Sequence, residues 1–265
     1  MSSGRFVWHD LVTTDVEGAK RFYGDLLGWG YQPFTGPGGG EAPEGAMPYE
    51  MIVAAGAPMP QGGVMAAQLP GVPPHWVGHI SLPGVDGVAA RAQAGGGKLV
   101  FGPFDIPGVG RNALIADPQG AAFGVITFAG EGMPAPEGPT PTGSFCWDEL
   151  VTTDVPGAEA FYAGVTGWGA KSWDGGVPYT IFTAGDAQAA GLMARPAELQ
   201  APPAWIAYVH VPDLAATLAK TKELGGAVYA GPIPVPTIGL IGVICDPQGA
   251  ALGVIQPDLS GMSGR

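Results

Sequence analysis

Residues 6–30 and 145–169 of this chain align without a gap and agree at 15 of 25 positions. Both read F-x-W-x-[DE]-L-V-T-T-D-V-x-G-A-x-x-F-Y and end in G-W-G. Further on, 117–126 and 246–255 agree at 9 of 10 positions, DPQGAAFGVI against DPQGAALGVI. Two copies of one sequence carry the same local preferences and the same burial pattern, so the chain must fold as two homologous halves. The expected division is a domain at 1–130, a linker at 131–143 and a second domain at 144–265.

Within each copy the periodicity alternates between strand and helix. Residues 6–12 are aromatic and β-branched enough for a strand, and Thr14 or Asp15 can cap a helix running to about Leu27. Asp154 is the matching cap in the second copy. Ala19, Phe22, Tyr23 and Leu26 share one helical face, which makes Tyr23 and its counterpart Tyr162 packing residues. Gly28 ends the helix, Trp29 opens a strand, and 49–54 and 63–67 supply two more. The rest of the half repeats this order with a strand at 76–82, a helix at 85–94 and strands at 98–101, 112–116 and 121–127. Asp117-Pro118-Gln119-Gly120 joins the last two, with Asp, Pro and Gly at the first, second and fourth positions of a type I turn. Each half therefore holds two βαβββ units, and the fold class is α+β.

The 46 glycines and 28 prolines fall mostly between short apolar runs, where hairpins need positive φ and preset turns. They cluster at 35–45 and 129–143, which read as a loop and a linker. The glycines at 36–40 are followed by no helix and form no phosphate cradle. A net charge of −12 gives no basic footprint for nucleic acid. No signal segment opens the sequence, and no apolar run reaches the ~20 residues that span a bilayer. The expectation is a cytoplasmic protein, a monomer or homodimer, acting on a small molecule. Cys146 and Cys245 have neither zinc-site spacing nor counterparts in the other half, and read as packed thiols. A nucleophile elbow and a Walker-type GK[ST] are both missing from the sequence.

With a strand leading into TTDV and a closing DPQG hairpin, this order of elements resembles the vicinal oxygen chelate superfamily of glyoxalases, bleomycin-resistance proteins and extradiol dioxygenases. The resemblance covers nearly the whole chain. It implies four βαβββ modules in two tandem homologous domains, with mixed sheets curled around open clefts that hold a metal or a ligand.

The resemblance also implies where a metal would be held. Metal-dependent members take a His or Glu from the first strand of a module and a Glu from its last. The first-strand positions fall here on Trp8, Val77, Trp147 and Ile206, and the last-strand positions on Gly124 and Gly253. The corresponding strands of modules one and three, 62–67 and 189–194, contain no carboxylate. No metal and no cofactor is therefore expected, with a divalent ion held by Asp10 and His79 left open.

Strand alternation puts Trp8, Asp10 and Val12 on one face, and Trp147, Glu149 and Val151 on its counterpart. By resemblance this is the cleft face. Asp10 and Glu149 are candidates for a general base, a ligand acceptor or the partner of a histidine, and equally for a structural hydrogen bond. His79 beside Ser81, and Tyr208 beside His210, are placed to face them. A histidine next to a carboxylate is the minimum equipment for proton transfer near neutral pH, although a lone strand histidine is as readily a satisfied side chain. Trp8 and Trp147 offer an aromatic wall for a planar molecule, or fill the core. Arg111, whose counterpart is Leu240, is a candidate for an anionic ligand or a solvated charge.

These residues lead to a protein that binds a small apolar or aromatic metabolite without metal, with acid/base chemistry of lyase or isomerase type at Asp10, His79, Glu149 and His210. The alternatives are a binding protein that sequesters a drug or toxin, and a metal-dependent glyoxalase or dioxygenase.

Overall fold

The computed structural model describes residues 4–36, 48–68, 70–130, 132–133 and 140–258. Most of the loop expected at 35–45 and much of the linker expected at 129–143 lie outside them. The first half runs β1 (Arg5–Thr13), α1 (Val16–Leu27), β2 (Gly30–Pro33), β3 (Tyr49–Val53), β4 (Gly62–Ala66), β5 (His75–Ser81), α2 (Val85–Ala94), β6 (Lys98–Ile106), β7 (Gly110–Ala116) and β8 (Ala122–Phe128). The second half repeats it as β9 (Phe145–Thr152), α3 (Val155–Thr166), β10 (Gly169–Trp173), β11 (Tyr179–Ala184), β12 (Ala187–Ala194), β13 (Ala204–His210), α4 (Leu214–Glu223), β14 (Ala227–Val235), β15 (Gly239–Cys245) and β16 (Ala251–Pro257).

The expected order of strand, helix and three strands holds in all four modules. Helix starts follow the local chemistry: Asp15 accepts from Gly18 N at 2.9 Å and Asp154 from Gly157 N at 3.0 Å. Gly28 and Gly167 end those helices at φ 71° and 77°, the left-handed conformation a glycine adopts without strain. The DPQG turns are tied by their aspartates, with Asp117 Oδ1 accepting from Gln119 N and Ala121 N. Among the described residues no helix is long and apolar enough to cross a membrane.

Each half forms one open, mixed eight-stranded sheet, in the order β2-β3-β4-β1-β5-β8-β7-β6 and its repeat β10-β11-β12-β9-β13-β16-β15-β14. The first strands of the two modules, β1 and β5, pair antiparallel at the centre, and each pairs parallel with the last strand of its own module. Along β1, His9, Leu11 and Thr13 are buried while Trp8, Asp10 and Val12 are half-buried, so the alternation read from sequence separates a core face from a cleft face.

The core faces of the two halves bury each other. One apolar cluster joins Leu11, Phe22, Tyr23 and Trp76 to Leu214, Ile244 and Val254, and the other joins Val88, Phe123 and Val125 to Leu150, Phe161 and Trp205. Module one thus packs on module four, and module two on module three. Two kinds of polar bond between the halves are reciprocal. Tyr23 OH donates to Asp246 and Tyr162 OH to Asp117, each at 3.2 Å, so the two tyrosines read as packing residues also anchor the opposite half's turn. The Trp29 and Trp168 indoles donate to the carbonyls of Gly143 and Gly4.

At the centre the pairing is not reciprocal. His9 Nε2 lies 2.8 Å from Asp148 Oδ1, and these two buried residues occupy equivalent positions in the two copies. The His9 ring also stacks on Phe145 at 4.0 Å between centroids. Cys146 and Cys245 are free thiols, and burial pushes the Cys146 thiol up to about 12.

Candidate functional site

On the cleft face of the first half, β1 and β5 bring Asp10 and His79 together, with Asp10 Oδ2 3.0 Å from His79 Nε2. The two side chains are 14% and 10% exposed, so the pair is sheltered but not sealed. Tyr49, from β3, donates to Asp10 Oδ1 at 2.5 Å, and the Trp8 indole donates to the same oxygen at 2.9 Å and to the Tyr49 hydroxyl at 2.6 Å. Asn112, from β7, lies against the far side of the imidazole with Nδ2 3.1 Å from His79 Nδ1. The His79–Asp10 contact is close but poorly aligned, which leaves Nε2 as a buried nitrogen without a hydrogen-bond partner.

The same positions in the second half carry Trp147, Glu149, Tyr179 and Tyr208. Trp147 donates to Tyr179 OH at 2.9 Å and Tyr208 OH donates to Glu149 Oε1 at 3.1 Å. His79 is thus replaced by a tyrosine, and Asn112 by Ile241, which pairs with Ile255 as Asn112 pairs with Ile126. The second cluster holds a carboxyl among phenols and contains no imidazole.

The two carboxyls shift in opposite directions. Burial pushes Asp10 up, but the His79 ring, the Tyr49 hydroxyl and the Trp8 indole outweigh it and hold the group below its ordinary value. Burial pushes Glu149 up, and the hydroxyls of Tyr179 and Tyr208 only partly offset this. Asp10, with its folded pKa depressed, contributes stability that is present above the unfolded value and lost as pH falls through the folded one. Glu149, with its folded pKa raised, carries a burial penalty at neutral pH that is relieved as pH falls through its folded value. Asp10→Asn is therefore expected to cost about 1.5–3 kcal/mol at neutral pH, a cost that shrinks in acid. Glu149→Gln is expected to stay within about 1 kcal/mol of the native protein at neutral pH, and to lose any advantage toward about pH 4. Urea unfolding of both variants across that range measures the two signs, and equal losses at neutral pH would contradict them.

Four glycines make room for these rings. Asp10 pairs with Gly63, His79 with Gly124, Glu149 with Gly191 and Tyr208 with Gly253. A Cβ on Gly63 would overlap the Tyr49 ring, on Gly124 the His79 ring, on Gly191 the Tyr179 ring and on Gly253 the Tyr208 ring. All four have ordinary backbone conformations, so these glycines serve for space alone.

The other residues singled out from the sequence lie apart from the first cluster. Ser81 sits at the end of β5, paired with Arg5 and Ile126. His210 is at the end of β13, with Nδ1 2.9 Å from the Thr140 carbonyl, and borders a groove of about 720 Å³ that includes Pro212, Pro234 and Pro257. That groove is distant in kind from the polar clusters, because none of their carboxylates or phenols lines it. Arg111 forks onto Asp86 at 2.6 and 2.9 Å and onto Asp105 at 2.9 Å at the surface. Tyr49, Tyr179 and Asn112 went unnoticed in the sequence. The first two had a usable signal, since Pro48-Tyr49 and Pro178-Tyr179 open matched strands.

No family model matches the chain. It is similar to the Mn(II)-bound glyoxalase from Novosphingobium aromaticivorans, with a TM-score of 0.63 at 17% identity, covering 96% of this chain and 82% of that one. It is 38% identical over 260 residues to the putative glyoxylase CFP32 of Mycobacterium tuberculosis, covering 94% of each chain. The chain belongs to the vicinal oxygen chelate superfamily. It is also 29% identical over 259 residues to the anthracycline biosynthesis protein DauV of Streptomyces sp., covering 96% of this chain and 93% of DauV.

Membership of the superfamily raises the question of a metal, and the donor set bears on it. The first-strand residues that pair with the last-strand glycines are Asp10, His79, Glu149 and Tyr208, each two residues on from Trp8, Val77, Trp147 and Ile206, the positions assigned from sequence. This correction brings two metal-ligating side chains together in the first cleft, Asp10 and His79. Gly63 and Gly124, opposite them, supply none, and among the described residues no group of three His, Cys, Asp or Glu converges. A divalent ion held by three protein ligands does not fit this set. A glutamate at 124 would also displace the imidazole, whose ring fills the space beside the glycine.

Proposed function

We propose that the protein binds a small, largely apolar or aromatic molecule in the first-half cleft, without metal, and that Asp10 and His79 move a proton on it. The observation that carries this reading is the 3.0 Å approach of His79 Nε2 to Asp10 Oδ2 in a sheltered site. A carboxylate held ionised beside an imidazole can take a proton from a bound molecule and return it elsewhere, which is the chemistry of a lyase or isomerase. The walls suit a planar ligand. Phe34 meets Tyr49 edge-on at 6.1 Å, and Phe104, which pairs with Asn112, contacts Phe101 at 5.1 Å. Phe101, beside Phe104, is 63% exposed, an apolar ring left open to solvent. The resemblance to a protein of anthracycline biosynthesis puts polycyclic aromatic compounds first among ligands to try.

The test is titration of a panel of planar aromatic compounds followed by Trp8 fluorescence, with product analysis. A bound compound should quench native protein and not Trp8→Phe, and Asp10→Asn should slow its conversion by about 10²-fold or more. Native-like turnover in both Asp10→Asn and His79→Gln would refute the reading. A second reading, sequestration without turnover, is favoured by one feature: Asp10 Oδ1 is already occupied by Trp8 and Tyr49. It predicts that the bound compound is recovered unchanged.

A further inference from the structure

Asn112 has no polar counterpart in the second half, where Ile241 stands, and it constrains the imidazole. An amide nitrogen only donates, so Asn112 Nδ2, facing His79 Nδ1 at 3.1 Å, requires that Nδ1 accept. A neutral ring then carries its proton on Nε2. That proton has no aligned acceptor, although Asp10 Oδ2 is 3.0 Å away. The carboxylate is likewise half-committed, because Trp8 and Tyr49 both donate to Oδ1 and leave Oδ2 open. The site thus holds one uncommitted donor and one uncommitted acceptor, side by side and both fixed by neighbours.

We propose that Asn112 is a positioning residue that fixes His79 as the Nε2–H tautomer, so that Nε2–H and Asp10 Oδ2 together receive a ligand hydroxyl, phenolic or enolic. The ligand oxygen accepts from Nε2–H and donates its own proton to Oδ2. In proton transfer the O–H bond breaks, the carboxylate gains the proton, and the resulting oxyanion keeps the bonding pair beside the imidazole donor. No oxidant or other co-reactant is needed. A carbonyl or ether oxygen fills only half of the pair, which makes the hydroxyl the recognised feature. The second half cannot do this. Ile241 stands in place of Asn112, and the Tyr208 hydroxyl is committed to Glu149. The hydroxyl-binding cleft is therefore that of the first half.

This inference rests on the ligand-binding reading above, and two measurements separate their failures. The first is made without ligand. Nitrogen-15 NMR of the four histidines, with His79 assigned by its loss in His79→Gln, should show a non-protonated Nδ1 and a protonated Nε2. Asn112→Asp, whose carboxylate only accepts, should move the proton to Nδ1. If that variant does not fold, Asn112→Leu, which copies the apolar residue of the second half, should yield a mixture of tautomers. The second compares a planar phenol with its methyl ether by Trp8 fluorescence. Native protein should prefer the phenol by about tenfold or more, and either Asn112 variant, by taking the proton off Nε2, should weaken the phenol and the ether alike by about tenfold or more. A protonated Nδ1 in native protein, or an Asn112 variant that binds both compounds like native protein, overturns the inference. If neither compound of any pair binds, the ligand-binding reading fails, and the NMR result still decides what Asn112 does to His79.

Discussion

Replacing His9 with leucine is expected to lower stability by about 3–5 kcal/mol. His9 and Asp148 are 4% and 6% exposed, and the imidazole is the side-chain partner that takes the Asp148 carboxylate out of isolation, at 2.8 Å. Leucine fills most of the ring's volume and keeps contact with Phe145, so packing is largely preserved. What remains is a carboxylate in a dry interior with its partner gone. The opposite change, Asp148→Leu, should cost less, about 1–3 kcal/mol, because an imidazole can stay neutral and leaves one unsatisfied nitrogen. Replacing both with leucine should recover most of either loss, since a buried pair is often matched by apolar residues of similar volume. Urea unfolding of the two single variants and the double variant measures these terms. A His9→Leu loss below about 1 kcal/mol, or a double variant worse than both singles, would contradict this account.

The reason for the pair lies in the duplication. Near a pseudo-twofold axis equivalent positions meet, so identical copies would set like against like: two histidines, or two carboxylates sharing one desolvated space. The copies differ at this position, His9 against Asp148, and the difference converts a self-repelling contact into a complementary one. Away from the axis no such divergence is needed. Tyr23 and Tyr162, and Trp29 and Trp168, keep the same residue in both halves and bond reciprocally.

The same geometry explains what could be read from the sequence. Module order, helix caps and the DPQG turns follow from local chemistry, which repeats in both copies, and all appear where the pattern puts them. The alternation of β1 correctly separates Asp10 from Leu11. It cannot tell a strand from one slid by two residues, because the period of a strand is two, and so Val77 and Ile206 were assigned where His79 and Tyr208 stand. Nor does periodicity name what a buried face packs against. Leu11 and Leu150 read as core, but nothing in their spacing says that each is covered by the other half. Tyr49 and Asn112 reach the cluster from strands 39 and 33 residues away from their partners, by sheet pairing alone. His210 repeats the position of Ser81 and, at the end of its strand, bonds to the Thr140 backbone, outside the polar cluster.

Gly124→Ala tests the site more sharply than a change to either reacting group, because it adds one methyl group and removes nothing. Its backbone is ordinary, so alanine brings no conformational strain, but the added Cβ would overlap the His79 ring. Either the sheet shifts or the imidazole leaves its place between Asn112 and Asp10. Overpacking of this kind costs about 1–3 kcal/mol. The functional loss should be larger in effect, because a displaced ring forfeits both the contact with Asn112 Nδ2 and the approach to Asp10 Oδ2. Binding of a planar hydroxylated ligand in the first cleft is expected to fall by about tenfold or more. Gly253→Ala is the matched control, since the same methyl group meets the Tyr208 ring in the second half. It should cost similar stability while leaving the first cleft's ligand binding unchanged. Thermal unfolding and fluorescence titration of the two variants give the comparison. If both lose binding, the halves communicate and the first cleft is not autonomous. If Gly124→Ala binds like the native protein, the position of His79 is not what the ligand reads.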